Sequence, residues 1–253
     1  MFGNGKIKVI TNRKLYWKFM LKVLYEDNHV IVVEKEAGLL VQKDYTNEDS
    51  LMEYVKNYIR EKYSKPGNIF LGLVHRLDKP VSGCVIFAKT SKAASRLCKE
   101  FSDRKIIKIY IGLVHNNGLL PDEITTISDD IRKERGKSII AEETDYNIKS
   151  AQLTFFKQAE NSEYALLAIA LQTGRKHQIR MQLANLGCPI VGDVKYGSSE
   201  TVPDGICLHA YYIKVKHPTK ENTLEIHSPI PKRILDKINC NDISLQNIIS
   251  NFA

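Results

Sequence analysis

Two short runs hold the residues with the most chemistry to offer. In Val74-His75-Arg76-Leu77-Asp78-Lys79-Pro80-Val81-Ser82-Gly83 one acid stands among polar residues between two apolar segments. Pro80 and Gly83 force a turn, so Asp78 is expected on a loop at a strand end rather than inside an element. It either caps that turn or works as a carboxylate nucleophile or base. The second role needs the ionised form, which the cations of Arg76, Lys79 and His75 favour.

The other run, Thr173-Gly174-Arg175-Lys176-His177-Gln178-Ile179-Arg180, is basic. Its spacing predicts a helix over 174–186, with Ile179, Leu183 and Leu186 inward and Gly187 as its stop. A helix start prefers acids because the dipole is positive there, yet this one opens on Arg175, Lys176 and His177. Either that end is a solvated basic patch, or an anion sits on it, since helix amides and basic side chains together suit a phosphate or carboxylate. Arg180 falls off the inward stripe and can reach a carboxylate across a cleft. Tyr110, on the same strand face as Lys108, is either a half-buried strand tyrosine or a stacking platform for a base.

These runs need a scaffold. Leu24-Tyr25 and His29 to Glu34 read as a hairpin across Glu26-Asp27-Asn28. Ser50 and Glu53 have capping-box spacing ahead of a helix with Leu51, Val55 and Ile59 on one face. Gly83 to Lys89 is an apolar strand, after which Thr90 caps a helix turned inward at Ala93, Leu97 and Phe101. Lys105 to Val114 is a strand with Ile107, Ile109, Ile111 and Leu113 on its apolar face. Residues 122–145 are polar and read as a surface excursion or small hairpin. Tyr164 to Leu171, apolar on both faces, reads as a central strand, with later strands at Leu208 to Val215 and Leu224 to Ile226 and a polar helical tail from Ile234. Strands arriving in neighbouring pairs between a few helices predict α+β with a largely antiparallel sheet.

Composition narrows the class. The chain has 253 residues, 43% hydrophobic and 26% charged, within the globular range and large enough to bury an ordinary core. Lysine and arginine exceed the acids to give a net charge of +8, which points to an acidic partner such as a phosphate polymer. Basic residues interrupt the first 27 positions, and nowhere is there an apolar run long enough for a membrane span. The five cysteines form no C-x-x-C pair and the seven histidines no ligand spacing, so a reducing cytoplasm and no metal are expected. Dinucleotide, P-loop and G-x-S-x-G signatures are missing.

Taken in order, these pieces resemble the RluA family of RNA pseudouridine synthases. The resemblance runs from VLYEDNHVIVVEKEAGLLVQ through VHRLDKPVSGCVIFAKT, KIIKIYIGLV and LQTGRKHQIRMQLANLGCPIVGDVKYG to ICLHAYYIKVKHP and HSPIP, covering most of the chain. It implies a mixed, mainly antiparallel sheet in two subdomains flanking a central cleft. It further implies isomerisation of uridine to pseudouridine in ribosomal or transfer RNA, without cofactor, by a monomeric cytoplasmic enzyme. Asp78 falls on the family's catalytic aspartate, Tyr110 on its active-site tyrosine and Arg180 on the arginine that pairs with the aspartate. Arg76 matches the side chain that enters the space left by the flipped base. His75, Lys79, Lys108, Arg175, Lys176, His177 and Gln178 are the accompanying RNA-binding set.

Three positions depart from the family's commonest pattern: Val81 replaces a threonine, Glu36 a proline and Gln182 a histidine. Residues 1–22 are expected to be an extension ahead of a catalytic domain at 23–253, too short to form the RNA-binding domain many relatives carry. RNA selection then falls to the catalytic domain, including 122–145. A non-catalytic RNA-binding protein on the same fold is the rival, and so is a phosphate-ester hydrolase, which would want a metal-binding carboxylate cluster.

Overall fold

A computed structural model describes residues 21–238 apart from 47 and 204, together with 248, 249 and 252. Residues 1–20 of the expected N-terminal extension, Cys240 and most of the tail beyond 238 lie outside the described residues.

The first turn forms because the Asp27 carboxylate accepts the amides of His29 and Val30, at 2.8 and 3.0 Å. It joins β1 (Lys22–Glu26) to β2 (Val30–Lys35) as the expected antiparallel hairpin. Then come α1 (Leu51–Lys62), β3 (Gly72–Leu73), β4 (Ser82–Ala88), α2 (Ser91–Ser102) and β5 (Ile107–His115). The 122–145 region becomes a hairpin, β6 (Thr125–Glu134) and β7 (Lys137–Ile140), tied to the remainder by β8 (Lys149–Glu160). The chain continues through β9 (Tyr164–Leu171), α3 (Gln178–Asn185), β10 (Leu208–Lys216), β11 (Thr223–His227) and α4 (Lys232–Ile238).

The strands form one sheet in the order β1-β2-β4-β10-β5-β9-β8-β6-β7, with β3 added to β4 and β11 to β10. Every named ladder is antiparallel except β10 with β4, which is parallel and spans only His209 opposite Ser82 and Ala210 opposite Gly83. Alternation along β2 and β4 assigns their side chains to two cores. Ile31, Val33, Val85 and Phe87 pack with Leu51, Val55 and Ile59 of α1, while Val30, Val32, Cys84 and Ile86 pack with Ala93 and Leu97 of α2.

Some local expectations change. Ser50 stands at the α1 N-cap but its hydroxyl makes no capping bond, so the capping box does not form. Thr90 does cap α2, accepting the Ala93 amide at 3.2 Å. In β5 burial is not confined to one face: Ile109 through Val114 are all buried, because β5 lies between β10 and β9 and is covered on both sides. Helix α3 starts four residues later than its sequence predicts. The Gln178 side-chain oxygen accepts the Arg175 amide at 3.0 Å and the Thr173 hydroxyl at 2.7 Å, winding 173–177 into a loop. His177 closes it in the left-handed region, at φ 54°. The basic residues therefore precede the helix instead of forming its first turn.

Candidate active site

The turn that presents Asp78 is closed by the Val81 amide donating to the Asp78 carbonyl at 3.0 Å. Beyond it Gly83 has φ 120°, and a Cβ there would lie 2.2 Å from the Ala210 carbonyl oxygen. Only glycine lets β4 approach β10 this closely. Behind the turn the fully buried Lys35 donates from Nζ to the carbonyls of Glu36, Leu39 and Lys79, at 2.9, 2.7 and 2.9 Å. Burial draws its pKa down to about 7, with Asp78 pulling the other way and Arg233 adding to the fall. Three carbonyls meet the three protons of its charged form, which in that state staples two loops under the Asp78 turn.

Arg180, buried on α3, faces two carboxylates. Its Nε and Nη2 donate to the two oxygens of the buried Asp193 at 2.6 and 2.8 Å, and Nη1 donates to Asp78 Oδ2 at 3.3 Å. The Tyr196 ring lies beneath the guanidinium, 5.0 Å away. His177 adds a second contact: Nδ1 bonds the Tyr196 hydroxyl at 2.9 Å and Nε2 lies 3.7 Å from Asp78 Oδ2. Burial lowers the His177 pKa to about 4 against the opposing pull of Asp78. At neutral pH, then, Arg180 supplies the positive charge beside Asp78 while neutral His177 supplies an oriented ring.

Tyr110 is 8% exposed and shares the cavity wall with Asp78. Burial, then Asp78 and Cys84, push its phenol well above the usual tyrosine range. Lys108, two residues earlier on the same face, has its pKa lowered by burial and lies 5.9 Å from the Phe101 ring centre. His75 stacks on Phe101 at 4.8 Å, and its Nε2 accepts the Ile86 amide at 3.0 Å. Burial lowers its pKa to about 3, so His75 is a neutral wall residue and not a cation beside Asp78.

These groups line a cavity of about 1120 Å³. Asp78 is its one carboxylate among the described residues, against nine cations: Arg76, Arg104, Lys108, Arg132, Lys133, Lys149, Arg175, Lys176 and Arg180. Of the site residues expected from sequence, Lys79 is not brought in. Its ammonium turns to Glu48, at 2.6 Å. Gln178 lines the cavity, yet its amide serves the loop, donating to the Gln152 carbonyl at 3.0 Å. Arg175 keeps Nε on the Ser150 carbonyl at 3.0 Å. Gln182 donates to Asp129 Oδ2 at 2.7 Å and to the Ala151 carbonyl at 3.2 Å, tying α3 to β6 and β8.

Residues 29–185 match the family model described as RNA pseudouridylate synthase. The chain belongs to that family. Ribosomal large subunit pseudouridine synthase C of Buchnera aphidicola is 31% identical over 241 residues, spanning 90% of this chain and 70% of that protein. The tRNA pseudouridine synthase C of Pasteurella multocida is 28% identical over 90% of this chain and 99% of its own. The solved structure of human RNA pseudouridylate synthase domain containing 4 superposes with a TM-score of 0.71 at 21% identity, covering 86% of this chain and 93% of that one, a likeness of fold. With synthases named C and D among its relatives, this pseudouridine synthase falls in the RluA branch, and its mixed, mainly antiparallel sheet is as its sequence leads one to expect. It is an isomerase of uridine in RNA.

Three residues of the site escape a reading of the sequence: Lys35, Asp193 and Tyr196. The signal for the last two was the run Gly192-Asp193-Val194-Lys195-Tyr196-Gly197, an acid and an aromatic between two glycines.

Proposed function

We propose that this synthase isomerises an unpaired or flippable uridine of ribosomal or transfer RNA, with Asp78 as catalytic carboxylate, Tyr110 as the residue against the base and Arg180 as the cation paired with Asp78. The observation that carries the proposal is the single carboxylate among the described lining residues, bonded to a buried guanidinium, in a cavity whose other charged lining residues are cations. That charge pattern supports a polyanionic substrate with one reactive acid at its centre.

The reaction breaks the bond between uracil N1 and the ribose anomeric carbon and forms one from C5 to the same carbon. A proton leaves C5 and one is gained at N1, so nothing is oxidised and no group is lost. An ionised Asp78 can add to the anomeric carbon or to the uracil ring, and the pairing with Arg180 serves both routes. Tyr110, protonated at neutral pH like any tyrosine and more firmly so because burial raises its pKa, offers an aromatic face and a hydroxyl donor rather than a standing base. Flipping the uridine costs a few kcal/mol unless a loop already exposes it, and the exposed Arg76 at the cavity is the side chain suited to fill the vacated stack. The remaining cations hold flanking phosphates.

Pseudouridine mapping in total RNA treated with purified protein tests this, with no cofactor added. Asp78→Asn is expected to bind RNA and to form no pseudouridine. An active Asp78→Asn enzyme overturns the mechanism, and a wild-type protein that binds without modifying favours the binding-only rival.

A further inference from the structure

The loop between β7 and β8 carries a tyrosine that the catalytic reading leaves unused. Tyr146 is 87% exposed, yet it lines the same cavity as Asp78. The loop beneath it is pinned. Asp145 Oδ2 accepts Arg132 Nε at 2.6 Å and the Glu142 amide at 2.7 Å, and the Ala141 amide donates to the Asp130 carbonyl at 2.8 Å. Asn147 follows in the left-handed region at φ 58°, which asparagine tolerates. An exposed aromatic ring is thus carried on a hydrogen-bonded loop that lines a basic cavity.

Charge around it is sorted. Residues 129–149 include Asp129, Asp130, Glu134, Glu142, Glu143 and Asp145, but the charged side chains they give to the cavity wall are Arg132, Lys133 and Lys149. Arg175 joins from the neighbouring loop. Arg132 is already paired with Asp145, but Lys133, Lys149 and Arg175 line the same cavity as Tyr146, and an aromatic face beside such cations matches a base with phosphates on either side. A paired base inside a helix has both faces stacked already, so only an unpaired one has a face to give.

We infer that Tyr146 is a stacking platform for an unpaired base near the flipped uridine, so that this synthase selects a uridine in a single-stranded loop over one in a continuous helix. The inference rests on the RNA reading above. It is tested with a short RNA hairpin whose loop carries a uridine beside a fluorescent adenine analogue. The wild type quenches the analogue on binding. Tyr146→Ala loses the quenching and raises KM about tenfold or more, chiefly leaving kcat, because stacking is a binding term. Tyr146→Phe and Tyr146→Trp retain both. A Tyr146→Ala variant matching wild type in KM and quenching overturns the inference, and so does a Tyr146→Phe variant as impaired as Tyr146→Ala, which would make the hydroxyl the contact. Quenching needs no turnover, so Tyr146-dependent quenching without pseudouridine defeats the catalytic reading while upholding the stacking, and pseudouridine formation indifferent to Tyr146 does the reverse.

Discussion

Asp193 grips Arg180 more tightly than Asp78 does, through two bonds of 2.6 and 2.8 Å against one of 3.3 Å. The guanidinium is therefore set in place by a buried partner before substrate arrives, and Asp78, the proposed catalytic carboxylate, meets a cation that need not reorganise. Arg180→Lys keeps the charge but cannot make both contacts with Asp193 and still reach Asp78. Its kcat is expected to fall by about 10²-fold or more, with RNA affinity in filter binding changed far less. Asp193→Asn leaves the buried Arg180 only its longer contact with Asp78 and is expected to lower stability by about 3 kcal/mol in urea unfolding.

Tyr110 separates ring from hydroxyl. Tyr110→Phe keeps the face offered to the base, so single-turnover assays should show RNA binding unchanged and any loss confined to the chemical step. Tyr110→Ala also opens a hole in a covered strand, and about 3 kcal/mol of stability should go with it.

Lys108 has no carboxylate partner among the described residues and borders Gly174, whose added Cβ would stand 3.5 Å from the ammonium. If it meets a phosphate, Lys108→Met should weaken binding to every RNA alike and reduce the slope of log K against log salt by about one. An unchanged slope would falsify the phosphate contact.

Gly83 and Gly118 both have positive φ, at 120° and 73°, but differ in surroundings. A Cβ on Gly118 meets nothing within 4 Å, whereas one on Gly83 meets the Ala210 backbone. Gly118→Ala should cost about 1 kcal/mol, from strain alone. Gly83→Ala should cost about 4 kcal/mol or prevent folding, since the β4–β10 ladder must separate to admit it. Thermal unfolding of the two variants compares them directly.

Glu26 contributes to acid stability. Burial alone would raise its pKa, but hydrogen bonds from Lys62, Lys89, Tyr63 and Tyr58 outweigh that and bring it from 4.5 to about 2. A carboxyl depressed on folding stabilises fully above its unfolded pKa, and the contribution disappears as pH falls through the folded value. The gap in urea midpoint between wild type and Glu26→Gln should therefore be widest above about pH 5 and shrink toward about pH 2.

The structure brings Asp78, Tyr110 and Arg180 to one cavity, and what singled them out in the sequence was their place in long ordered runs that resemble a family, since their residue types alone left bland roles open. Lys35 was not legible. At the end of an apolar strand a lysine reads as a solvated terminus, and only the meeting of the Glu36, Leu39 and Lys79 carbonyls makes it an interior cation. Lys79 erred in the opposite sense, because proximity in sequence to Asp78 says nothing of Glu48, which lies across the surface. The late start of α3 has a similar origin: the Gln178 side chain reaches back to the Thr173 hydroxyl and the Arg175 amide while His177 takes a left-handed backbone, a local choice that periodicity does not register. Strand pairs were readable from alternation, but the parallel join of β4 to β10 was not, because the partners stand more than a hundred residues apart.

That join also fixes when the enzyme becomes competent. Asp78 leaves the ribosome 102 residues ahead of Arg180, and β4 must wait longer still for β10. Contacts so distant along the chain form late in folding, after local hairpins and helices. A half-synthesised chain therefore already holds its aspartate but lacks the guanidinium, and the centre of the sheet is complete only with β10 between β4 and β5.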